Sequence, residues 1–375
     1  MMNSFGKKAT GKRLERMQAS PRWIDGGFQN LHPIMPNLKA GAMPGIADFL
    51  CGGGRRTPPG PLPSVDPRPG WQRAPETGFR ATWLGHSTLL IEIDGARVLT
   101  DPVWGDRASP ISIAGPKRFQ AVPVAVSALP PLDAIVISHD HYDHLDYPTI
   151  RELLPLETPF ITSLGVGAHL EAWGVEKERI IELDWWETYR LPKQDLAITA
   201  APSQHFSGRS VGGRNGTLWS SFVVTGPKHR FFFSGDTGLT GEYATIAGKL
   251  GPFDLTALEV GAFHPAWGDI HLGPAHALEA FDLLGGGTFL PVHWGTFNLA
   301  MHAWDEPPET LLELAARRGT RLVMPRLGDA VEPARAGAVE PWWRPLVKLE
   351  KGDRAEEAEE ATPAVSSEPV AFPID

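Results

Sequence analysis

From Phe79 onward, short apolar runs alternate with Gly-, Pro- and Asp-rich breaks, a pattern of strands and tight turns. The stretch ATWLGHSTLLIEIDGARVLTDP holds two extended runs, Ser87–Ile93 and Ala96–Thr100, joined by Asp94-Gly95, a strong hairpin signal. Ala134–Ile137 is apolar without interruption and β-branched, as in a strand buried on both faces. Further strands are predicted at Arg179–Leu183, Ala197–Ala201, Trp219–Thr225, Arg230–Ser234, Thr288–Val292 and Thr320–Met324. Helical spacing is predicted over Tyr147–Leu154, Gly165–Trp173, Gly241–Leu250, Pro274–Leu284 and Pro308–Arg317. Strands first, then alternating helix and strand, predict an α+β chain with two mixed sheets and helices outside them.

The flanks differ from this middle. Residues 1–75 are Pro-, Gly- and base-rich, with CGGGRRTPPGPLPSVDPRPGW as the extreme, and read as an arm lying on the body or partly disordered. Within the arm, Ala40–Leu50 has the pattern of a short apolar helical turn, either tucked onto the main domain or serving as an interfacial anchor. Residues 76–348 form the expected domain, and the acidic, Ala/Pro-rich stretch 349–375 is expected to be disordered.

Composition narrows the possibilities. At 375 residues, 42% hydrophobic and 21% charged, the chain can build one large or two medium cores. A formal charge of -9 argues against a nucleic-acid partner. A lone Cys51 excludes an internal disulfide framework and fits a reducing compartment. No apolar run approaches the ~20 residues of a membrane span, and the basic N-terminus has no apolar segment of a secretory signal after it. A cytoplasmic location, with peripheral membrane association as an option, is the expectation. The 13 tryptophans against 4 tyrosines suit either packing or an interfacial surface.

The chemistry concentrates after Ala134–Ile137, where His139, His141, Asp143 and His144 crowd into SHDHYDH. Such groups side by side would go unsatisfied in an ordinary core, and a divalent cation resolves that cost because imidazole and carboxylate are its usual donors. Two overlapping pairs, rather than one closed tetrahedron, point to two metals: His139 and His141 on one, Asp143 and His144 on the other. More ligands must then arrive from afar. His205, Asp236 and His293 each follow an apolar strand, and ligands in sheet proteins collect on the loops at one sheet edge. A single histidine so placed is ordinarily structural; the recurrence is what favours ligands. Asp236, among the small residues of SGDTG, is the expected bridge, with His205 completing the first metal and His293 the second.

The motifs HDHYDH, SQHFSGR, SGDTG and PVHWGTF resemble the metallo-β-lactamase superfamily. WLGHST, LTDPVW, SPISIAGPKRF, LPPLDAIVISHDHYDHLDY, IELDWWE, FFFSGDTG and GPFDL are similar to its N-acylphosphatidylethanolamine-hydrolysing phospholipase D branch. The similarity runs from about Ala81 to Gly328. It implies a four-layer αβ/βα sandwich with two zinc ions, His139, His141 and His205 on one, Asp143, His144 and His293 on the other, and Asp236 bridging. It further implies phosphodiester hydrolysis in a phospholipid, N-acylphosphatidylethanolamine giving N-acylethanolamine and phosphatidic acid, with Asp143, Asp236 and His271 as the catalytic groups. His271, in GAFHPAWGDIHLGPAHA, matches a histidine that follows a GAY-type turn in the family, although the preceding loop is shorter here and His264 stands where a carboxylate is expected. A lipid substrate brings peripheral contact with a bilayer, and a homodimer is a further option.

Several residues carry two readings. His271 either positions the phosphate and leaving oxygen or flanks a helix on the surface. Phe263 and Trp267 either line an acyl groove or pack a loop. His86 either orients a ligand or packs beneath the site. Lys117 and Arg118 either meet phosphate or sit on a solvated loop, the plainer reading, and Trp185 and Trp186 are expected to be packing. Two rival functions use the same residues: a lactonase or cyclic phosphodiesterase with a soluble substrate, and a non-catalytic metal-binding module.

Overall fold

The computed structural model describes residues 3–34, 55–209, 213–264, 267 and 269–347. The expected turn at Ala40–Leu50, Cys51 and the stretch 349–375 lie outside the described residues. In chain order the elements begin with α1 (Gly11–Gln18), β1 (Trp23–Ile24), β2 (Gly27–Phe28), α2 (Arg68–Trp71), β3 (Phe79–Gly85), β4 (Thr88–Ile93), β5 (Ala96–Thr100) and β6 (Ala134–Ile137). There follow α3 (Tyr147–Leu153), β7 (Phe160–Ser163), α4 (Gly167–Ala172), β8 (Ile180–Leu183), β9 (Thr188–Arg190), β10 (Ala197–Ala201), β11 (Ser221–Thr225) and β12 (Arg230–Phe233). The last are α5 (Glu242–Leu250), β13 (Leu255–Glu259), α6 (Gly273–Leu283), β14 (Thr288–Val292), α7 (Glu306–Arg318) and β15 (Ala330–Val331).

Two large sheets dominate. One has seven strands in the order β15-β3-β4-β5-β6-β7-β8, the other six in the order β14-β13-β12-β11-β10-β9. Pairing is parallel from β5 through β8 and from β12 through β14, and antiparallel elsewhere, so both sheets are mixed. The sequence dictates which faces meet. Leu89, Ile91, Val98, Ala134 and Val136 point into a core shared with Ile198, Ala200, Phe222 and Val224 of the other sheet. Their neighbours Leu90, Leu99, Ile135 and Ile137 face the opposite way, onto Ile150 and Leu153 of α3 and Leu170 of α4. This alternation is the period-two rule of a strand applied to strands apolar on both faces. The result is the α+β sandwich of two mixed sheets with helices against them.

Some sequence expectations change. Thr320–Met324 is not a strand: it contributes one bridge, Leu322 to Phe289, beside β14. Phe289 donates to Arg321 and accepts from Val323, so the next β14 residue facing that edge is Pro291, which has no N–H to continue the ladder. β7 and β13 are among the strands that sequence reading passes over, as are β3 and β9. FITS is only four residues, and LTALE is made largely of good helix formers.

Residues of the N-terminal stretch pack on the body. Met17 and Phe28 are buried with Leu164, Trp185, Leu218 and Trp219. Trp185 also donates its indole N–H to the Trp219 carbonyl at 2.8 Å, which makes it packing, as expected.

Candidate metal centre

Strand ends place the site. β6 runs into SHDHYDH, and that stretch is pinned at its far side because Asp146 caps α3, its carboxylate accepting the Thr149 amide. β12 runs into SGDTG. Gly235 there has φ +55°, and a Cβ on it would lie 2.6 Å from Ser138 Cβ, so only glycine lets the Asp236 turn close onto the end of β6. His205 lies beyond the end of β10, and His293 follows β14 directly.

These seven side chains converge as two groups. His139 Nε2, His141 Nδ1 and His205 Nε2 face one another, 2.9 Å between the first two and 3.2 Å between the last two. Two of the other ring nitrogens are engaged: His139 Nδ1 with Ser138 Oγ at 2.9 Å, and His205 Nδ1 with the Ile270 carbonyl at 2.9 Å. A carbonyl only accepts, so His205 carries its proton on Nδ1 and aims a lone pair inward. In the second group, Asp143 Oδ2 lies 3.2 Å from His293 Nε2 and 3.5 Å from His144 Nε2. Asp236 spans both: Oδ1 is 3.1 Å from His144 Nε2 and 3.2 Å from His293 Nε2, while Oδ2 is 3.7 Å from His205 Nε2 and 3.8 Å from His139 Nε2.

His144 Nε2 and Asp236 Oδ1 are buried without a hydrogen-bond partner. Inward-facing lone pairs, orphaned buried donors and acceptors, and a carboxylate divided between two imidazole sets are what a pair of cations would satisfy. The residues present therefore fit two divalent ions. Charge follows the same division. Burial pulls His139, His141 and His205 below the ordinary imidazole value, which keeps them neutral and competent as ligands. In His144 and His293 burial is outweighed by the Asp236 and Asp143 carboxylates, and His293 is pushed up to about 10. Burial raises Asp143 and Asp236, but facing His144 and His293 hold both well below the usual carboxylate range.

The supporting residues include some that sequence reading missed. Asp101, next after β5, is fully buried and sends Oδ2 to His144 Nδ1 at 2.7 Å and to Ser138 Oγ at 2.6 Å. Glu259, at the end of β13, meets His271 Nδ1 at 2.8 Å. His302 accepts the Ala262 amide at 3.0 Å, and its ring stacks on Phe263 with centroids 4.8 Å apart. Asn30 bonds the backbone of His205. Asp101 obeys the strand-end rule that singled out Asp236, so a signal was present; Glu259 ends a strand that the sequence does not announce, and for Asn30 there was no signal.

Of the residues with two readings, His86 places Nε2 3.0 Å from Asp143 Oδ2 and so orients that carboxylate, with burial lowering its own pKa to about 3. His271 is not a surface histidine: its ring lies 5.4 Å from that of His293 and 5.1 Å from that of His205. Trp267 is half-buried with its ring 6.4 Å from His271, and Phe263 has one ring face covered by His302. Arg118 is neither a phosphate contact nor on a solvated loop. It is buried, donates to Val103 O at 2.7 Å and Gly105 O at 3.0 Å, and lies 4.5 Å over the Phe297 ring. Lys117 is exposed.

Fold and site together define a metal-dependent hydrolase. The chain belongs to the beta-lactamase superfamily, whose domain matches residues 96–294. It is similar to an uncharacterized protein of Mycobacterium tuberculosis, 44% identical over 333 residues, 87% of this chain and 88% of the relative. It is also similar to an N-acyl-phosphatidylethanolamine-hydrolyzing phospholipase D of Caenorhabditis elegans, 39% identical over 254 residues, 65% of this chain and 71% of that one. Among solved structures, isothiocyanate hydrolase from Delia radicum gut bacteria shares the fold, with TM-score 0.56, 21% identity, and coverage of 68% of this chain and 98% of that one. Among the described residues no helix is long and apolar enough to cross a membrane.

Proposed function

We propose that the chain is a di-zinc phosphodiesterase of the phospholipase D type, cleaving N-acylphosphatidylethanolamine to N-acylethanolamine and phosphatidic acid. The observation that carries this reading is the Asp236 carboxylate divided between two imidazole sets, in a chain 39% identical to a phospholipase of that name. When bound, two zinc ions supply Lewis acidity toward the phosphoryl oxygens and bring the pKa of water from about 15.7 toward ~7.

The chain's own residues do the rest. His139, His141 and His205 would hold one ion and Asp143, His144 and His293 the other, with Asp236 available to both. His86 keeps Asp143 oriented. His271, beside both sets, is placed to hydrogen-bond the phosphate or the departing ethanolamine oxygen. Trp267, whose ring lies 6.4 Å from that of His271, and Phe263, stacked on His302, are the candidates to meet an acyl chain from a peripherally contacted bilayer.

The test is product analysis by mass spectrometry. Purified enzyme is offered vesicles containing N-acylphosphatidylethanolamine and, separately, a soluble lactone and a cyclic phosphodiester. N-acylethanolamine and phosphatidic acid in equal amounts are expected. Turnover of only a soluble substrate would overturn the lipid assignment.

A further inference from the structure

Beneath His271 lies a carboxylate that holds no place in either metal set. Glu259 ends β13 with no exposed surface, and its surroundings leave it little freedom. Its Oε1 accepts the backbone amides of Thr237 at 2.8 Å and Leu272 at 3.3 Å, while its own amide donates to Ser234 Oγ at 3.1 Å. That leaves Oε2 for His271 Nδ1, at 2.8 Å. Leu272 is the residue next to His271, so one carboxylate fixes both the backbone and the ring of this short segment. The segment immediately precedes α6.

A carboxylate has only acceptors to offer, so His271 donates Nδ1–H to it. The remaining nitrogen, Nε2, then lies on the far side of the ring from Glu259. The ring stacks toward His293, with 28° between planes, and sits edge-on to His205. Its side chain retains 12% exposure against 0% for Glu259, so the ring rather than the carboxylate reaches solvent.

We infer that Glu259 is a positioning residue: it sets the tautomer and orientation of His271 so that Nε2 is the nitrogen offered to the substrate's leaving oxygen. The role of His271 rests on the phosphodiesterase reading above, whereas the tautomer does not. Glu259 also lies 3.9 Å from His293 Nδ1, too far for a hydrogen bond, so its hold is on His271 and not on the ligand.

Glu259→Gln is the informative change. Its amide oxygen keeps the Thr237 and Leu272 contacts, while its NH2 group turns a donor toward His271 and forces the ring to accept at Nδ1. The experiment joins two readouts on zinc-reconstituted protein with metal content checked. Long-range 1H–15N correlation spectra of histidine-labelled protein, assigned with His271→Gln, should show Nδ1 of His271 protonated in the wild type and unprotonated in Glu259→Gln. Kinetically, kcat for an alkyl phosphodiester, whose leaving oxygen needs a hydrogen bond or proton, should fall about 100-fold with KM within about twofold. Turnover of bis(p-nitrophenyl) phosphate, whose leaving group needs neither, should fall less than about threefold. Adding Glu259→Gln to His271→Gln should cost nothing further, because both act through one ring.

An unprotonated Nδ1 in the wild type overturns the inference without any variant. So does an equal loss on both substrates, which would mark a structural role. If the wild type cleaves neither phosphodiester, the proposed function falls, and the spectra still decide whether Glu259 sets the ring.

Discussion

Asn30 clasps the backbone of His205 from both sides. Its Nδ2 donates to the His205 carbonyl at 2.7 Å, and its Oδ1 accepts the His205 amide at 3.1 Å. The same Oδ1 takes the indole N–H of Trp219 at 3.0 Å. A residue of the N-terminal stretch thus imitates a neighbouring strand at the point where a metal-facing imidazole must be held. Asn30→Ala leaves the His205 amide without its partner, a cost of about 1–3 kcal/mol. The expected result, read by calorimetry and metal titration, is a lower Tm together with weaker metal binding. Unchanged metal affinity would mean that His205 is held by its own loop.

Asp101 fixes the ring of His144 through Nδ1, and the Ser138 amide and hydroxyl hold Asp101 in turn. A carboxylate behind a metal-facing histidine typically matters about 10–100-fold in affinity. Asp101→Asn should weaken one of two zinc-binding steps by that factor and leave the other within about twofold. Competition with a chromogenic chelator separates the steps. Equal weakening of both would mean that Asp101 acts as strongly through Ser138 on His139 as it does directly on His144.

Acid sensitivity has an identifiable source away from the metals. Asp94 sits in the β4–β5 turn, and its carboxylate receives the amides of Lys228 and His229 and faces His229 Nδ1 at 2.7 Å. Burial pushes the Asp94 carboxyl up, but these contacts outweigh it and hold the group below its ordinary value. A folded-state pKa below the unfolded one contributes stability above the unfolded value of about 3.9, and that contribution fades as pH falls through the folded one. Asp94 has φ 49°, which asparagine also tolerates, so Asp94→Asn removes charge without straining the turn. The variant should melt about 2–4 °C lower at pH 7, and the difference should shrink below about pH 4. A deficit that stays constant across that range would contradict the assignment.

How much of this was legible in the sequence depended on locality. His139, His141, Asp143 and His144 lie within one turn, so their spacing alone proposes a metal. Asp236, His205 and His293 were found because each comes after an apolar strand; β12 and β14 run parallel, and β10 runs the same way as β12 because both are antiparallel to β11, so the three ends fall on one side of that sheet. Glu259 escaped because LTALE lacks strand character: its neighbours β12 and β14 make it a strand, which is tertiary context overriding propensity. Arg118 was misread because what buries it, Phe297, is remote in sequence, and nothing in GPKRF announces that partner. Asn30 was invisible for the same reason. A Gln-Asn pair after a hairpin carries no sign that a histidine far along the chain will need it.

The central claim is that seven side chains hold two cations with Asp236 between them, and counting metal tests it most directly. Elemental analysis of protein purified without chelators and exchanged into metal-free buffer should give two zinc per chain. Asp236→Asn, folded by circular dichroism, should retain one or fewer and should not hydrolyse phosphodiesters. A wild-type content of one ion or none after zinc is offered, or two ions kept by Asp236→Asn with normal turnover, would contradict the account.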